Sequence, residues 1–97
     1  MKFNISLKKE HLLNIMRECK YAPDGQDPKT GEFRFFRSLG GRRYPRFHIY
    51  AQQQEDTASL NIHLDQKQPS YEGSSAHSGE YEGLIIEQEV ERILRKA

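Results

Sequence analysis

Residues 46–66, RFHIYAQQQEDTASLNIHLDQ, decide the fold that the sequence predicts for the rest of the chain. Polar and apolar side chains alternate along the first half of this stretch and again along the second half. The apolar members of the two runs are Phe47, Ile49 and Ala51, then Leu60, Ile62 and Leu64. An alternation with a period of two residues is typical of a β-strand with one buried face, so the stretch predicts a β-hairpin.

The same pattern fixes the register of this hairpin. With the turn at Glu55 and Asp56, apolar residues of the two strands lie opposite each other, whereas a shift of one residue would oppose them to polar groups. The predicted apolar pairs are Phe47 with Leu64, Ile49 with Ile62, and Ala51 with Leu60. The predicted polar pairs are Arg46 with Asp65, His48 with His63, and Tyr50 with Asn61. Two directly opposed histidines, with Cβ atoms about 5 Å apart, are the strongest chemical signal in the chain.

Segments on either side of the hairpin complete the predicted fold. Alternation predicts strands over residues 2–5 and 32–39. Helical spacing of apolar residues predicts a helix over 7–20, with Ser6 as its N-cap, and a second helix over 84–97. The expected fold class is α+β: an antiparallel meander of three to four strands with an N-terminal and a C-terminal helix packed on one face.

Proline and glycine positions predict how the strand at 32–39 joins the sheet. Pro23-Asp24-Gly25 predicts a turn. Because Pro23 lacks an N–H group, any strand before it would be a poor central strand. Gly31 is expected in a left-handed conformation at the end of a hairpin turn. An irregular three-residue loop at Gly40 and Gly41 would then pair the strand with the central hairpin. The neighbours expected from that loop are Phe35 with Phe47, Phe33 with Ile49, and Arg34 with His48.

Composition predicts one small domain, residues 1–97, with a long loop at 66–83. Apolar residues make up 35% of the chain, charged residues 30%, and the formal net charge is +1. Overall charge therefore gives no argument for a nucleic-acid or membrane partner. The single cysteine, Cys19, cannot form an internal disulfide, and no apolar run approaches the length of a membrane span. We expect a cytoplasmic protein with no membrane partner.

The segment 66–83 has no hydrophobic periodicity and is rich in glycine and serine. Loops longer than about 12–15 residues are usually functional or disordered. This one carries Tyr71, His77, Glu80 and Tyr81. Because flexible linkers seldom hold two tyrosines, we expect the loop to fold over the polar face of the hairpin.

The leading functional prediction is a divalent-metal site on that polar face. His48 and His63 supply two ligands, His77 of the loop a third, and Asp65 or Glu80 a fourth. Three imidazoles with a carboxylate or a water molecule suit tetrahedral zinc, so zinc is the expected cofactor. No HxH, HExxH or CxxC motif is present. The alternative, equally open, is that the histidines form only a polar pair on a solvated face.

General acid–base chemistry is a second hypothesis for the same residues, because histidine titrates near neutral pH. Tyr50, Tyr81 and Glu80 could assist. The repeated His-x-Thr or His-x-Ser pair of two-histidine phosphodiesterases is absent, and His-Ile-Tyr at 48–50 and His-Leu-Asp at 63–65 stand in its place. We therefore rank this hypothesis below metal binding, and the sequence leaves open whether any reaction is catalysed.

A non-catalytic RNA- or ssDNA-binding module is the main alternative to a metal site. Basic side chains along 33–50 would contact phosphates, and exposed aromatic rings would stack on unpaired bases. The residues of this hypothesis are Arg34, Arg37, Arg42, Arg43, Arg46, Phe36, Tyr44 and Tyr50. No RNP1-like or KH signature accompanies them. A protein-interaction adaptor without a small-molecule site is the third possibility.

Overall fold

A computed structural model describes residues 1–8, 10–66, 79–80 and 83–97, with only the backbone at 79–80. Its elements in chain order are β1 (Lys2–Ser6), α1 (Leu12–Glu18), β2 (Ala22–Gln26), β3 (Phe33–Ser38), β4 (Arg46–Gln54), β5 (Thr57–Asp65), β6 (Gly79–Glu80) and α2 (Leu84–Lys96). All strand pairs are antiparallel, and five strands follow the order β1-β5-β4-β3-β2. The fold is thus α+β, as predicted.

The central hairpin, β4 and β5, has the predicted register at all six predicted pairs. Each strand is nine residues long, and only Glu55 and Asp56 lie between them. Glu55 adopts a left-handed φ of 52°, as two-residue hairpin turns require. The apolar face of the hairpin is fully enclosed: Phe47, Ile49 and Ile62 are at most 2% exposed.

The sheet is wider than the predicted three to four strands because β2 and β6 also join it. On the far edge, β1 and β6 pair with the same side of β5: β1 lies opposite residues 57–61, and β6 lies opposite Leu64 and Asp65. The strand predicted at 2–5 is confirmed. Of the loop predicted at 66–83, residues 67–78 and 81–82 lie outside the described part of the chain.

The predicted register of β3 is wrong by two residues. Phe35 lies opposite Ile49 rather than Phe47, and Arg34 lies opposite Tyr50 rather than His48. Seven residues, 39–45, connect β3 to β4, whereas the prediction allowed three. A shift of two keeps each side chain on its own face of the sheet, so the apolar pattern could not distinguish the two registers.

The sequence predicts a turn at Pro23-Asp24-Gly25, but these residues lie in β2, the last strand in the row. Its register slips between Pro23 and Gln26. The turn that leads into β3 ends with Gly31 at a φ of 78°, as expected. This irregular edge strand contributes one side chain to the site described below.

The first helix begins later than predicted, and the two helices lie over different parts of the sheet. Ser6 is the last residue of β1 and pairs with Thr57, while Leu7 continues toward the hairpin turn by donating its N–H to the oxygen of Asp56. Pairing with β5 and its turn therefore uses Ser6 and Leu7, the predicted N-cap and first residue of the helix. Helix α1 lies closest to β2, and α2 lies closest to β5. Neither described helix is long and apolar enough to cross a membrane.

A buried carboxylate ties α2 to the sheet and to α1. Glu89, only 4% exposed, accepts hydrogen bonds from the Tyr21 hydroxyl at 2.7 Å and from Nε of Arg37 at 3.0 Å. Arg92 donates to the same carboxylate at 2.8 Å and to the backbone oxygen of Cys19. Burial raises the pKa of Glu89, but hydrogen bonds from Arg92, Arg37 and Tyr21 outweigh it, and the pKa lies below its usual value.

Candidate metal centre

Three ligand-bearing side chains converge on the face of the sheet opposite the hydrophobic core. His48 of β4 lies directly opposite His63 of β5. Asp65 is on the same face as His63, because alternate residues of a strand point the same way. All three residues are less than 9% exposed. Two paired strands, both interior to the sheet, therefore hold the group in place.

The Asp65 carboxylate lies between the two imidazoles. One of its oxygens is 3.1 Å from Nε2 of His63, and the other is 3.6 Å from Nδ1 of His48. One ligand atom from each of the three residues fits within 4.8 Å of the others, so the cluster could hold a metal ion. Burial raises the pKa of Asp65, but its contacts with His48 and His63 lower it by more, so that the pKa lies well below its usual range. The carboxylate is therefore ionised at neutral pH and can act as a ligand.

A second carboxylate faces the other nitrogen of His48. Oδ2 of Asp24, on β2, lies 3.5 Å from Nε2 of His48. That nitrogen is buried and makes no hydrogen bond to the described part of the chain. A neutral imidazole carries one N–H, so a proton on Nδ1 toward Asp65 would leave the Nε2 lone pair facing the Asp24 carboxylate. A protonated imidazole would donate to both carboxylates, and a metal ion at Nδ1 would likewise leave the proton on Nε2, where it would be donated toward Asp24.

The Tyr50 ring packs against both histidine rings of the cluster. Its ring stacks on the His63 ring with centroids 5.5 Å apart and an angle of 21° between the planes. The Tyr50 and His48 centroids are 4.8 Å apart, and those of the two histidines 5.2 Å. The packed rings restrict the rotation of both imidazoles, which keeps their nitrogens aimed at Asp65.

Three of the five residues predicted as metal ligands are thus brought together. His77 and the side chain of Glu80 lie outside what the structure describes, so their part in the site stays a prediction. The backbone of Glu80 does pair with Leu64, next to Asp65. His11, predicted to be a surface residue, is exposed at the N-cap of α1.

Asp24 is the residue that sequence reasoning missed. The turn signal Pro23-Asp24-Gly25 forms the middle of β2 instead. Asp24 reaches His48 from two strands away, across β3. No periodicity in the sequence indicates this contact, since it depends on the register slip within β2.

The residues of the nucleic-acid hypothesis lie on both faces of the sheet and in the loop between β3 and β4. Arg37 lies on the core side, where it binds Glu89 and its guanidinium carbon is 5.5 Å from the centre of the Phe47 ring. Arg42 and Arg43 are exposed in the loop between β3 and β4. The residues on the histidine face are Arg34, Phe36, Arg46 and Tyr50. The RNA- or ssDNA-binding hypothesis stays a prediction for this smaller set.

Comparison with known proteins gives no match: no family model, no curated protein and no solved structure matches the chain. The function is therefore inferred from the chemistry of its own side chains.

Proposed function

We propose that this protein binds a divalent metal ion, zinc, through His48, His63 and Asp65. The observation that carries the proposal is the convergence of two imidazole nitrogens and one ionised carboxylate in a buried cluster on paired strands. Two histidines and one carboxylate are also the protein ligands of zinc sites that keep a position open for water or substrate. His77 would fill a fourth position, as predicted from the sequence.

The spacing of the ligand atoms supports this proposal. Zinc binds nitrogen and carboxylate oxygen at about 2.0–2.2 Å, which places neighbouring ligands of a tetrahedral site roughly 3.3–3.5 Å apart. The two nitrogen–oxygen distances in the cluster, 3.1 and 3.6 Å, lie near this range, although they involve different oxygens of Asp65. One ligand atom from each residue fits within 4.8 Å of the others, so the side chains would move together by about an ångström on binding.

The environment of His48 also supports the proposal. A histidine that binds a metal through one nitrogen usually donates its other N–H to a carboxylate, which orients the ring. Asp24 is placed to accept that N–H. The alternative is a polar cluster in which Asp65 accepts hydrogen bonds from both imidazoles. It leaves the Nε2 lone pair of a neutral His48 facing a negative charge.

Zinc titration against a competing chromophoric chelator tests the proposal. Wild-type protein is expected to bind one zinc ion. His48→Ala, His63→Ala and Asp65→Asn are each expected to weaken binding by more than about 100-fold, since loss of a mere supporting partner already costs 10–100-fold. His11→Ala is the matched control, because this histidine is exposed and outside the cluster, and it should bind like the wild type. Equal affinity in all five proteins would overturn the proposal.

A further inference from the structure

Arg46 holds a fixed positive charge next to the proposed metal centre. It precedes His48 by two residues on β4, on the same face, and lies opposite Asp65. Its guanidinium carbon is 5.0 Å from the centre of the Phe36 ring and 4.9 Å from that of Tyr44. Two half-buried rings thus hold the guanidinium, and cation–π contacts of this kind stabilise it without neutralising its charge.

No carboxylate of the described residues forms an ion pair with Arg46. Asp65 is its cross-strand neighbour, but both Asp65 oxygens face the histidines. Nε of Arg46 is buried and makes no hydrogen bond within the described residues. A buried N–H without an acceptor is costly, so this group is suited to an acceptor that arrives with a ligand.

Arg34, the other arginine of this face, also has a buried Nε without a hydrogen bond among the described residues. It lies opposite Tyr50, however, whereas Arg46 lies opposite Asp65. The Nη2 atom of Arg34 packs 3.1 Å from the point where a Cβ on Gly25 would stand. Its charge also acts on Asp27 in the neighbouring turn. Arg46 is therefore the better candidate for binding an added anion.

We propose that the metal centre takes a phosphate group as its ligand, with one phosphate oxygen on the metal and others on Arg46. The inference rests on the proposed function, because a bound divalent ion offsets the charges of Asp24 and Asp65 and leaves that of Arg46 uncompensated. A phosphate carries about −1.5 to −2 charges at neutral pH. Its several oxygens can contact a metal and the planar fork of an arginine at the same time.

Exposed Arg43 adds to the positive charge at this end of the site. Its guanidinium carbon lies 5.8 Å from the Tyr44 ring, the ring that also contacts Arg46. The same chemistry could come from a small phosphate ester or from the backbone of a single-stranded nucleic acid. Both sources predict that Arg46 binds phosphate, and they differ in whether a short oligonucleotide binds.

Calorimetric titration of inorganic phosphate into zinc-loaded protein tests the inference, with zinc content measured on the same samples. Arg46→Gln is expected to weaken phosphate binding by at least about tenfold, since a hydrogen bond to a charged group has that order of effect. Arg46→Lys, which keeps the charge but lacks the fork, should fall between Arg46→Gln and wild type. Arg17→Gln, on the exposed surface of α1, removes the same charge and should leave phosphate affinity unchanged. A second titration with a short oligonucleotide distinguishes the two sources.

The outcomes separate this inference from the proposed function. If wild-type protein binds no zinc, the metal centre is wrong and the phosphate site is overturned with it. If wild type and Arg46→Gln hold equal amounts of zinc but bind phosphate equally or not at all, only the phosphate site is overturned. Equal zinc affinity with phosphate binding lost in Arg46→Gln supports it and shows that the variant has kept the site folded.

Discussion

At the scale of single residues, the site depends on how one imidazole is placed between two carboxylates. His48 has Asp65 on its Nδ1 side and Asp24 on its Nε2 side. With a metal at Nδ1, Asp24 becomes the acceptor that holds the ring in its binding orientation. In the proposed site, Asp24 would thus act on the metal through His48, without being a ligand.

Asp24→Asn is expected to lower zinc affinity by about 10–100-fold while leaving the fold intact, because Asp24 only supports a ligand and its side chain is 41% exposed. Asp56→Asn, exposed in the β4–β5 turn, makes the same charge change away from the site and serves as the control. Chelator competition measures both. Loss of affinity in the two variants alike would show a general charge effect instead.

At the scale of elements, the central hairpin could be predicted in detail and the strands beside it could not. The alternation from Phe47 to Leu64 excludes a one-residue slip, so the opposition of His48 and His63 follows from the sequence alone. The register of β3 does not, because a two-residue slip preserves both faces. The contact of Asp24 with His48 depends on that register and on the irregularity in β2, and was therefore not predictable.

Local sequence patterns also did not indicate where α1 begins or which contacts anchor α2. Ser6 resembles an N-cap, but the pairing of β1 with β5 competes for the same residues and prevails. Glu89 resembles a charge that suits the helix dipole, whereas its side chain is buried against Tyr21, Arg37 and Arg92. Tertiary contacts between distant segments decide both features, and local patterns do not contain them.

Glu89→Gln is expected to lower the free energy of unfolding by roughly 1.5–3 kcal/mol at neutral pH, because it weakens charge-assisted hydrogen bonds to Arg37 and Arg92, which are only partly buried. Glu91→Gln, exposed on the same helix, should change it by no more than about 0.5 kcal/mol. Urea unfolding of both variants measures the difference. Equal stability of the two would mean that the network does not anchor α2.

The same contact predicts a pH dependence. Because the folded-state pKa of Glu89 is lowered, its stabilising contribution is fully present above the unfolded-state pKa of about 4.3. It is lost as the pH falls through the lower folded-state pKa. The stability gap between wild type and Glu89→Gln should therefore shrink on acidification below about pH 4.

At the scale of the whole molecule, the sheet separates the groups that stabilise the fold from those that form the site. One face carries Phe47, Ile49 and Ile62 of the hydrophobic core. The other carries His48, His63 and Asp65. Because the two sets lie on opposite faces of the same strands, ligand variants should lose the metal without losing the fold.

Anomalous X-ray diffraction at the zinc edge, from crystals grown with equimolar zinc, tests the metal centre most directly. The account predicts one strong anomalous peak bonded to Nδ1 of His48, Nε2 of His63 and a carboxylate oxygen of Asp65, at about 2.0–2.2 Å from each. A structure without a peak at these atoms, with direct hydrogen bonds from both imidazoles to Asp65, would contradict it.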